Sequence, residues 1–353
     1  MSITSLARPE IQALQAYDAA EQVDDSIRLN ANESPAVSSV GHFRRPLNRY
    51  PEVRPQRLQA TLSGRFGCAG DQLLVTRGSS EAIDLIIRSF CRAEVDSILT
   101  PSPSFSMYRH YAELQGANII EVAMLAEHDF AMDVDAMLSA CTELTKVIFV
   151  CSPNNPTGTP LPYPDLVRLL IERSDKSVVV VDEAYIEFGE QPSAIDLLGE
   201  YPNLLVLRTL SKALAFAGAR CGAVAGAKDV IELLSAVQAP YALATPVVEC
   251  VEDALAEEQL TVAAAAVQEV LKERLRLMTA IADYDFVSKV WPSDANFFLI
   301  RSADAAAVME HCTVHKVLLR HFGGELSDCI RITVGSQSDN NALLSALNSF
   351  RKD

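Results

Sequence analysis

The feature of this chain that most constrains its fold is a series of short apolar runs that alternate with helical patterns from about residue 56 to residue 238. The clearest run is Val178–Val181, four consecutive valines. Runs that are apolar on both faces and end at polar, Gly or Pro residues are typical of a parallel sheet covered by helices. The pattern therefore predicts an α/β fold with a mostly parallel central sheet between helices. The other predicted strands are Gln72–Val75, Ser97–Leu99, Asn118–Glu121, Lys146–Cys151, Ser177–Val181 and Leu204–Leu207, and the clearest helices are Glu81–Cys91 and Asp165–Glu172.

The pattern changes after about Gln238. A long helical stretch, Gln259–Ala282, is followed by fewer strands at a different spacing. Because 353 residues exceed the length of one typical compact domain, we expect two domains behind an N-terminal segment at 1–50. The large domain is predicted at 51–258 and a smaller α/β domain at 259–353, with the long helix joining them. The predicted elements of the small domain are the strands Asn296–Ile300, Val317–Arg320 and Cys329–Val334 and the helices Ala305–His315 and Asn340–Phe350.

The composition argues against several classes of protein. The formal net charge of −16 disfavours nonspecific binding to nucleic acid or to anionic membranes. None of the eight cysteines forms a C-x-x-C pair, so we expect reduced, buried thiols in a cytoplasmic protein and no metal site. The first twenty residues have no continuous apolar core, and no apolar run reaches transmembrane length. We therefore expect neither a signal peptide nor a membrane span.

The first of four segments that together predict a ligand site is Thr76–Glu81 (TRGSSE), which follows the strand Gln72–Val75. Gly78 permits a tight turn. Ser79 and Ser80 can cap the next helix, whose free N–H groups and positive dipole end suit a phosphate. The same residues also fit an ordinary capped helix, so this segment alone does not establish a site.

The second segment is Ser152–Gly158 (SPNNPTG), after the strand Lys146–Cys151. Open α/β sheets bind ligands beyond the carboxyl ends of their strands. Asn155 can donate a hydrogen bond to a phenolate oxygen there, and the proline after it keeps its backbone extended, which fixes the direction of the side chain. A turn without a ligand is the alternative interpretation.

The third segment, Asp182–Tyr185 (DEAY), ends the valine strand. A carboxylate at the end of a buried strand is costly unless it is paired. A protonated pyridine nitrogen would suit Asp182 as a partner, and the carboxylate would keep that nitrogen protonated. Tyr185, three residues further on, can reach the same ligand. The alternative is that Asp182 only caps the next element.

The fourth segment contains Lys212, in the apolar stretch LSKALAFAGA after the strand Leu204–Leu207. A lysine buried there would have a lowered pKa, which favours Schiff-base chemistry. Ser211 and Arg220 can both contact a phosphate. A surface lysine with its stem along apolar residues is the alternative. If all four alternatives were true, four strand ends would each carry one part of the same site by chance. The four segments together therefore predict an enzyme that binds pyridoxal 5′-phosphate (PLP) through Lys212.

The order and spacing of these segments resemble those of fold type I PLP-dependent enzymes, with P-N-N-P-T-G followed by D-E-A-Y, S-K and R-x-G. The closer resemblance is to the histidinol-phosphate aminotransferase family, and it extends from residue 29 to residue 335. It implies transamination of L-histidinol phosphate with 2-oxoglutarate, in histidine biosynthesis, by a homodimer with shared active sites. The segments that carry it are Leu29–Pro35 (LNANESP), Asn48–Glu52 (NRYPE), Cys151–Gly158, Asp182–Phe188 (DEAYIEF), Leu207–Ala213 (LRTLSKA), Leu319–Arg320 and Ile330–Gly335.

The resemblance also implies roles for single residues. Lys212 is expected to bind PLP covalently and to shuttle a proton, and Asp182 to pair with the pyridine nitrogen. Asn155 and Tyr185 are expected to contact the cofactor's O3′, and Phe105 to stack on its ring. Gly78, Ser79, Ser80, Ser211 and Arg220 are expected at the cofactor phosphate, Tyr50 at the phosphate of the neighbouring subunit's cofactor, and Tyr17, Arg320 and Arg331 at the substrate.

Other functions remain open at this point. Threonine-phosphate decarboxylases and aromatic amino-acid aminotransferases share the fold and the cofactor. A regulator derived from a PLP site would need an added basic DNA-binding domain, for which this acidic chain has no room. The resemblance further predicts that segment 1–50 packs with the small domain and with a dimer partner. The expected partners are thus small-molecule substrates and a second copy of the chain, without nucleic acid or membrane.

Overall fold

The computed structural model describes residues 2–15 and 43–350. Strands and helices alternate from Gln56 to Val237, as the sequence pattern predicts. The helices are α1 (Pro9–Gln12), α2 (Gln56–Phe66), α3 (Ser79–Phe90), α4 (Met107–Gln115), α5 (Val134–Ala140), α6 (Tyr163–Glu172), α7 (Lys228–Val237), α8 (Thr245–Ala254), α9 (Glu257–Ala282), α10 (Ala305–Val314) and α11 (Gln337–Ser349). The strands are β1 (Leu73–Thr76), β2 (Ser97–Ser102), β3 (Asn118–Ala123), β4 (Thr145–Cys151), β5 (Val178–Asp182), β6 (Leu204–Thr209), β7 (Gly222–Gly226), β8 (Lys289–Val290), β9 (Phe297–Arg301), β10 (Arg320–His321) and β11 (Cys329–Thr333).

The central sheet of the described chain has the strand order β1-β7-β6-β5-β4-β2-β3. Its neighbours pair in parallel except at β7, which is antiparallel to both β1 and β6. The valine run is uninterrupted because both faces of β5 are buried. Val179 and Val181 join the apolar cluster on one face, and Val178 and Val180 join the cluster on the other. A strand buried on both faces has no polar alternation. The predicted α/β class with a mostly parallel sheet is confirmed.

A second, smaller sheet follows in the order β10-β11-β9-β8, with antiparallel pairing throughout. It packs with α10 and α11 around a separate apolar cluster. The long helix α9 contributes Val267 to a cluster of the central sheet and Leu277 and Ile281 to that of the small sheet. The chain therefore contains a large and a smaller α/β unit, while the exact boundaries at 51–258 and 259–353 stay predictions.

The sequence patterns miss two strands and misplace a third. β7 reads GAVAG, so it lacks the bulky β-branched residues that predict strands. Its small residues have a steric reason, since a Cβ on Gly222 would lie 2.7 Å from the carbonyl oxygen of Arg208. β8 has only two residues. The strand predicted at Val317–Arg320 begins only at Arg320, because Leu318 before it is exposed and gains no burial from joining the sheet.

The described parts of the N-terminal segment lie against the large unit. Ile3 joins an apolar cluster of the central sheet, and the backbone N–H of Arg44 donates to Glu249 on α8 at 2.8 Å. These parts therefore contact the large unit, while packing of segment 1–50 with the small domain and with a dimer partner stays a prediction. The helical pattern near Ile11–Ala20 is helical as far as Gln12, and its last five residues lie outside the described residues.

All eight cysteines lie within the described residues and are free. Five of them are buried as predicted, whereas Cys68 and Cys141 are half-buried and Cys250 is exposed. No helix in the two described ranges is long and apolar enough to cross a membrane.

Candidate active site

A cavity of about 870 Å³ opens at the carboxyl ends of the central strands, where open α/β sheets bind their ligands. The ends of β2, β4, β5 and β6, the start of α3, and residues of β10 and β11 all contribute to its wall. Tyr17 lies outside the described residues, and neither Tyr50 nor Gly78 is among the residues that line this cavity. The predicted residues that the structure brings together here are Ser79, Ser80, Phe105, Asn155, Asp182, Tyr185, Ser211, Lys212, Arg220, Arg320 and Arg331.

Asp182 is the last residue of β5 and is only 2% exposed. Its Oδ1 accepts a hydrogen bond from the backbone N–H of Ala184 at 3.2 Å, and its Oδ2 accepts one from the hydroxyl of Tyr108 at 3.0 Å. Burial raises the pKa of Asp182 to about 6, against the opposing effects of these hydrogen bonds and of the charge on Lys212. A buried carboxylate that faces a cavity and has no cationic hydrogen-bond partner among the described residues fits the protonated nitrogen of a pyridine ring.

Tyr108 belongs to none of the four motif segments. It lies on α4, is fully buried, stacks on Phe149 with ring centroids 4.6 Å apart, and meets the edge of Phe105 at 5.6 Å. An aromatic residue near the start of an amphipathic helix is most often part of the core, so its position in the sequence carried no signal of contact with Asp182. Only the position of its side chain in the fold, between Phe149 on β4 and Asp182 on β5, reveals that contact.

Asn155 joins two residues of the opposite wall. Its Nδ2 donates to the hydroxyl oxygen of Tyr185 at 3.3 Å, and its Oδ1 accepts a hydrogen bond from Nη1 of Arg331. Burial raises the pKa of Tyr185 well above its usual value, so this hydroxyl keeps its proton at neutral pH. Burial also lowers the pKa of Arg331. The arrangement presents a neutral phenol and an amide side by side, a suitable pair for an oxygen on a ring ligand.

The turn after Asn155 contacts the segment between β8 and β9 of the small sheet. Gly158 has a φ of +79°, and a Cβ at this position would lie 2.9 Å from the Cα of Ser293. The backbone N–H of Asp294 donates to the carbonyl oxygen of Gly158 at 2.9 Å. The last glycine of the P-N-N-P-T-G motif is therefore required by a close approach of two backbones, which fixes the position of Asn155.

The residues expected at a phosphate surround the first turn of α3. Gly78, at a φ of +78°, is the N-cap, so Ser79 and Ser80 are the first helical residues rather than the caps that the sequence predicts. The positive φ explains the glycine, and a Cβ at this position would also lie 2.9 Å from Nη2 of Arg220. Nη1 of Arg220 donates to Oγ of Ser211 at 3.5 Å. Free helix N–H groups, hydroxyls and a guanidinium together fit a phosphate.

Lys212 is exposed to the cavity, while its neighbours Leu210 and Ala213 are buried. The expected burial in the apolar run is therefore corrected: of this run only Leu210 and Ala213 are buried, and the lysine lines the cavity. Shielding of the amine by the cavity walls lowers the pKa of Lys212, the charge of Arg331 lowers it further, and Asp182 opposes both effects. The lysine has the lowered pKa that a nucleophilic amine needs.

A buried ion-pair network lies directly next to the candidate catalytic residues. Glu183, which follows Asp182, accepts a hydrogen bond from Nη1 of Arg208 on β6 at 3.3 Å, and Nη2 of the same arginine donates to Glu187 at 2.7 Å. Burial raises the pKa of Glu183, while the charge of Arg208 lowers it. Because β5 ends in Asp182 and β6 leads into Lys212, this network joins the two strand ends. It uses two glutamates of the DEAYIEF segment that the sequence analysis left without a role.

Replacing Arg208 by methionine is expected to lower the free energy of unfolding by about 3–5 kcal/mol, because the buried carboxylate of Glu183 loses its cation. Urea unfolding measures this change. The matched control is Arg88→Met, which breaks an exposed ion pair with Asp84 one turn away on α3 and should cost no more than about 0.5 kcal/mol. Equal effects of the two substitutions would show that the Arg208 network does not hold the strand ends.

A lowered-pKa lysine, a buried carboxylate, a phenol with an amide, and a phosphate cradle at one sheet edge together define the site of a fold type I PLP-dependent enzyme. The family model of aminotransferase class I and II matches residues 17–347. A histidinol-phosphate aminotransferase 1 of Haemophilus influenzae (strain 86-028NP) is 39% identical over 99% of this chain and 100% of its own length. The chain therefore belongs to the aminotransferase class I and II family, and within it to the histidinol-phosphate aminotransferases, and PLP is its cofactor.

Solved structures agree on the fold. The histidinol-phosphate aminotransferase of Sinorhizobium meliloti, solved in complex with pyridoxal-5′-phosphate, has a TM-score of 0.77 at 20% identity, over 85% of this chain and 82% of its own. The L-threonine-O-3-phosphate decarboxylase of Porphyromonas gingivalis has a TM-score of 0.73 at 24% identity, over 87% and 92%. The same fold thus serves two reactions, so the fold alone does not identify the substrate.

Proposed function

We propose that the protein transfers the amino group of L-histidinol phosphate to 2-oxoglutarate, giving imidazole-acetol phosphate and L-glutamate, in histidine biosynthesis. The observation that carries the substrate class is a pair of arginines in the cavity. Arg320 on β10 lies directly opposite Arg331 on β11 in the antiparallel register. Like charges placed opposite each other destabilise a sheet, and the charge of Arg320 helps to lower the pKa of Arg331. A substrate phosphate between the two guanidiniums would offset this repulsion.

The reaction divides among the residues of the strand ends. Bound PLP supplies an electron sink for the substrate's reacting carbon. Asp182 keeps the ring nitrogen protonated, and Asn155 and Tyr185 provide hydrogen bonds for the cofactor's O3′. Lys212 holds the cofactor through its amine until the substrate's amine takes its place. The freed amine, as a neutral base, then moves the proton at the reacting carbon. Its lowered pKa increases the fraction of neutral amine near pH 7.

The remaining wall positions the cofactor. Phe105, which follows β2 and lines the cavity, has a ring face available for stacking. Its position is fixed by its edge contact with Tyr108. The proposed residues at the cofactor phosphate are Gly78, Ser79, Ser80, Ser211 and Arg220.

We further propose a homodimer in the cytoplasm. Tyr50 is half exposed and stacks on Tyr241 with ring centroids 4.8 Å apart. A surface position away from its own cavity suits a residue that reaches the cofactor phosphate of the partner. Tyr17 is proposed as a further substrate ligand.

Purified protein is expected to form glutamate from L-histidinol phosphate and 2-oxoglutarate, and to release no carbon dioxide from threonine phosphate. A coupled assay for glutamate measures the first reaction and release of labelled carbon dioxide the second. Arg320→Ala should lower kcat/KM for histidinol phosphate by about 10–100-fold, because a charge-assisted contact with the phosphate is lost. Activity on unphosphorylated histidinol should stay unchanged in this variant.

Three results would contradict the proposal. Carbon dioxide from threonine phosphate without glutamate from histidinol phosphate would indicate the decarboxylase. Faster glutamate formation from phenylalanine or tyrosine would indicate an aromatic amino-acid aminotransferase. An equal loss on histidinol and on histidinol phosphate in the Arg320→Ala variant would show that this arginine does not bind the phosphate.

A further inference from the structure

We infer that Tyr108 is a positioning residue, which holds the carboxylate of Asp182 ionised and aimed into the cavity for the ring nitrogen of PLP. The inference rests on the role proposed for Asp182 and adds a residue that lies outside all four motif segments. Its basis is the 3.0 Å hydrogen bond from the Tyr108 hydroxyl to Oδ2 of Asp182. Among the described residues, the only other donor to this carboxylate is the backbone N–H of Ala184.

The hydroxyl of Tyr108 is held in place by its ring. The side chain is fully buried, and its ring lies nearly parallel to that of Phe149 on β4, at an interplanar angle of 9°. Phe105 meets the same ring edge-on. A side chain confined on two sides in this way loses little further freedom when it donates, so it acts as a fixed donor. The same ring thereby also supports Phe105, the expected stacking residue.

The surroundings of Asp182 leave it few other sources of stabilisation. Burial raises the pKa of Tyr108, so it remains a proton donor beside the carboxylate. Burial likewise raises the pKa of Cys151 and of Tyr185, so neither brings a charge at neutral pH. Lys212 is the cation among the described groups that act on the carboxylate. The titratable groups that face Asp182 are thus Tyr108 from α4, Cys151 from β4, Tyr185 after β5 and Lys212 after β6.

The consequence concerns the protonation of Asp182. A hydrogen bond to an ionised carboxylate favours the ionised form. Without the Tyr108 hydroxyl, Asp182 would bind a proton at higher pH, and a protonated carboxyl no longer pairs with a protonated ring nitrogen. Loss of the hydroxyl should therefore weaken the hold on PLP most strongly on the acidic side.

The test is Tyr108→Phe, which removes the hydroxyl and keeps the stacked ring. The dissociation constant of PLP from the holoenzyme is measured by equilibrium dialysis between pH 5 and pH 8. We expect it to rise about 10–100-fold, because a hydrogen bond to a charged group is lost. We also expect the loss of PLP on acidification to begin at higher pH than in the wild type, since the pKa of Asp182 is raised.

The matched control is Tyr111→Phe, the same substitution one turn further along α4, at a half-buried residue that does not line the cavity. Its PLP affinity and pH profile should equal those of the wild type. In an Asp182→Asn background, Tyr108→Phe should cause no further loss, because the two residues act through one contact.

Two results separate this inference from the role of Asp182. An unchanged dissociation constant and pH profile in Tyr108→Phe, with PLP binding weakened in Asp182→Asn, would overturn the inference about Tyr108 alone. Normal PLP binding by Asp182→Asn would overturn the role of Asp182 itself. Equal shifts in the Tyr108 and Tyr111 variants would show a general effect of helix α4 and would also overturn the inference.

Discussion

Replacement of Lys212 by alanine is expected to lower kcat by at least about 10⁴-fold, since proton transfer by a positioned group alone contributes about 10²–10⁴-fold and the covalent hold on the cofactor is lost as well. Glutamate formation from histidinol phosphate measures the loss. The visible absorbance band of the wild-type holoenzyme should be bleached by borohydride, and the reduced cofactor should stay attached to the peptide that contains Lys212. The alanine variant should bind PLP without this attachment.

Two controls separate the amine from the charge. Lys212→Arg keeps a cation but has no neutral amine near pH 7, so it should be as inactive as the alanine variant. Lys228→Ala removes an exposed lysine paired with Asp71 on the surface, and its activity should equal that of the wild type. Activity of Lys212→Ala close to that of the wild type would exclude this lysine as the catalytic base.

The inner strands of the central sheet could be predicted from sequence because they are buried on both faces, which leaves uninterrupted apolar runs such as Val178–Val181. The parts that were missed depend on tertiary contacts. β7 is a strand because its small residues fit between β1 and β6, and no local property of GAVAG states this. The strand predicted at Val317–Arg320 began too early in the chain, because Leu318 is apolar in the sequence pattern although its side chain is 81% exposed in the fold.

In the candidate site, too, some residues could be predicted from the sequence pattern and others depend on tertiary contacts. Asp182 ends one strand, and Asn155 and Lys212 follow two others whose ends share the same edge, so their proximity could be inferred from the sequence pattern. The contacts of Arg208 and Tyr108 could not be found in this way, since they depend on how side chains pack in the fold and not on which residues follow a strand. The contact between Tyr108 and Asp182 spans 74 residues. The capping role given to Ser79 and Ser80 failed because Gly78 takes the cap position.

Asp182→Asn is expected to lower kcat by about 10²–10⁴-fold, the loss of about 3–5 kcal/mol that follows when a buried charge loses its ionised partner. Asparagine cannot keep the ring nitrogen of the cofactor protonated, so the reacting carbon loses its electron sink. Single-turnover kinetics with histidinol phosphate measures the chemical step without product release. A loss confined to KM would contradict the role of Asp182 in the reaction.

The same substitution should stabilise the protein freed of PLP. The pKa of Asp182 in the folded chain, about 6, lies above its ordinary value of 3.8, so the folded state binds this proton more tightly than the unfolded state. The contribution of Asp182 to stability is therefore present below about pH 4 and is lost as the pH rises to about 6, by up to about 3 kcal/mol. Asparagine has no such loss. At pH 7 the PLP-free Asp182→Asn variant should melt at a higher temperature than the PLP-free wild type, and at pH 4 the difference should be smaller. A lower melting temperature of the variant at pH 7 would show that the buried carboxylate does not destabilise the fold. A higher one would show that Asp182 serves the cofactor and not the stability of the fold.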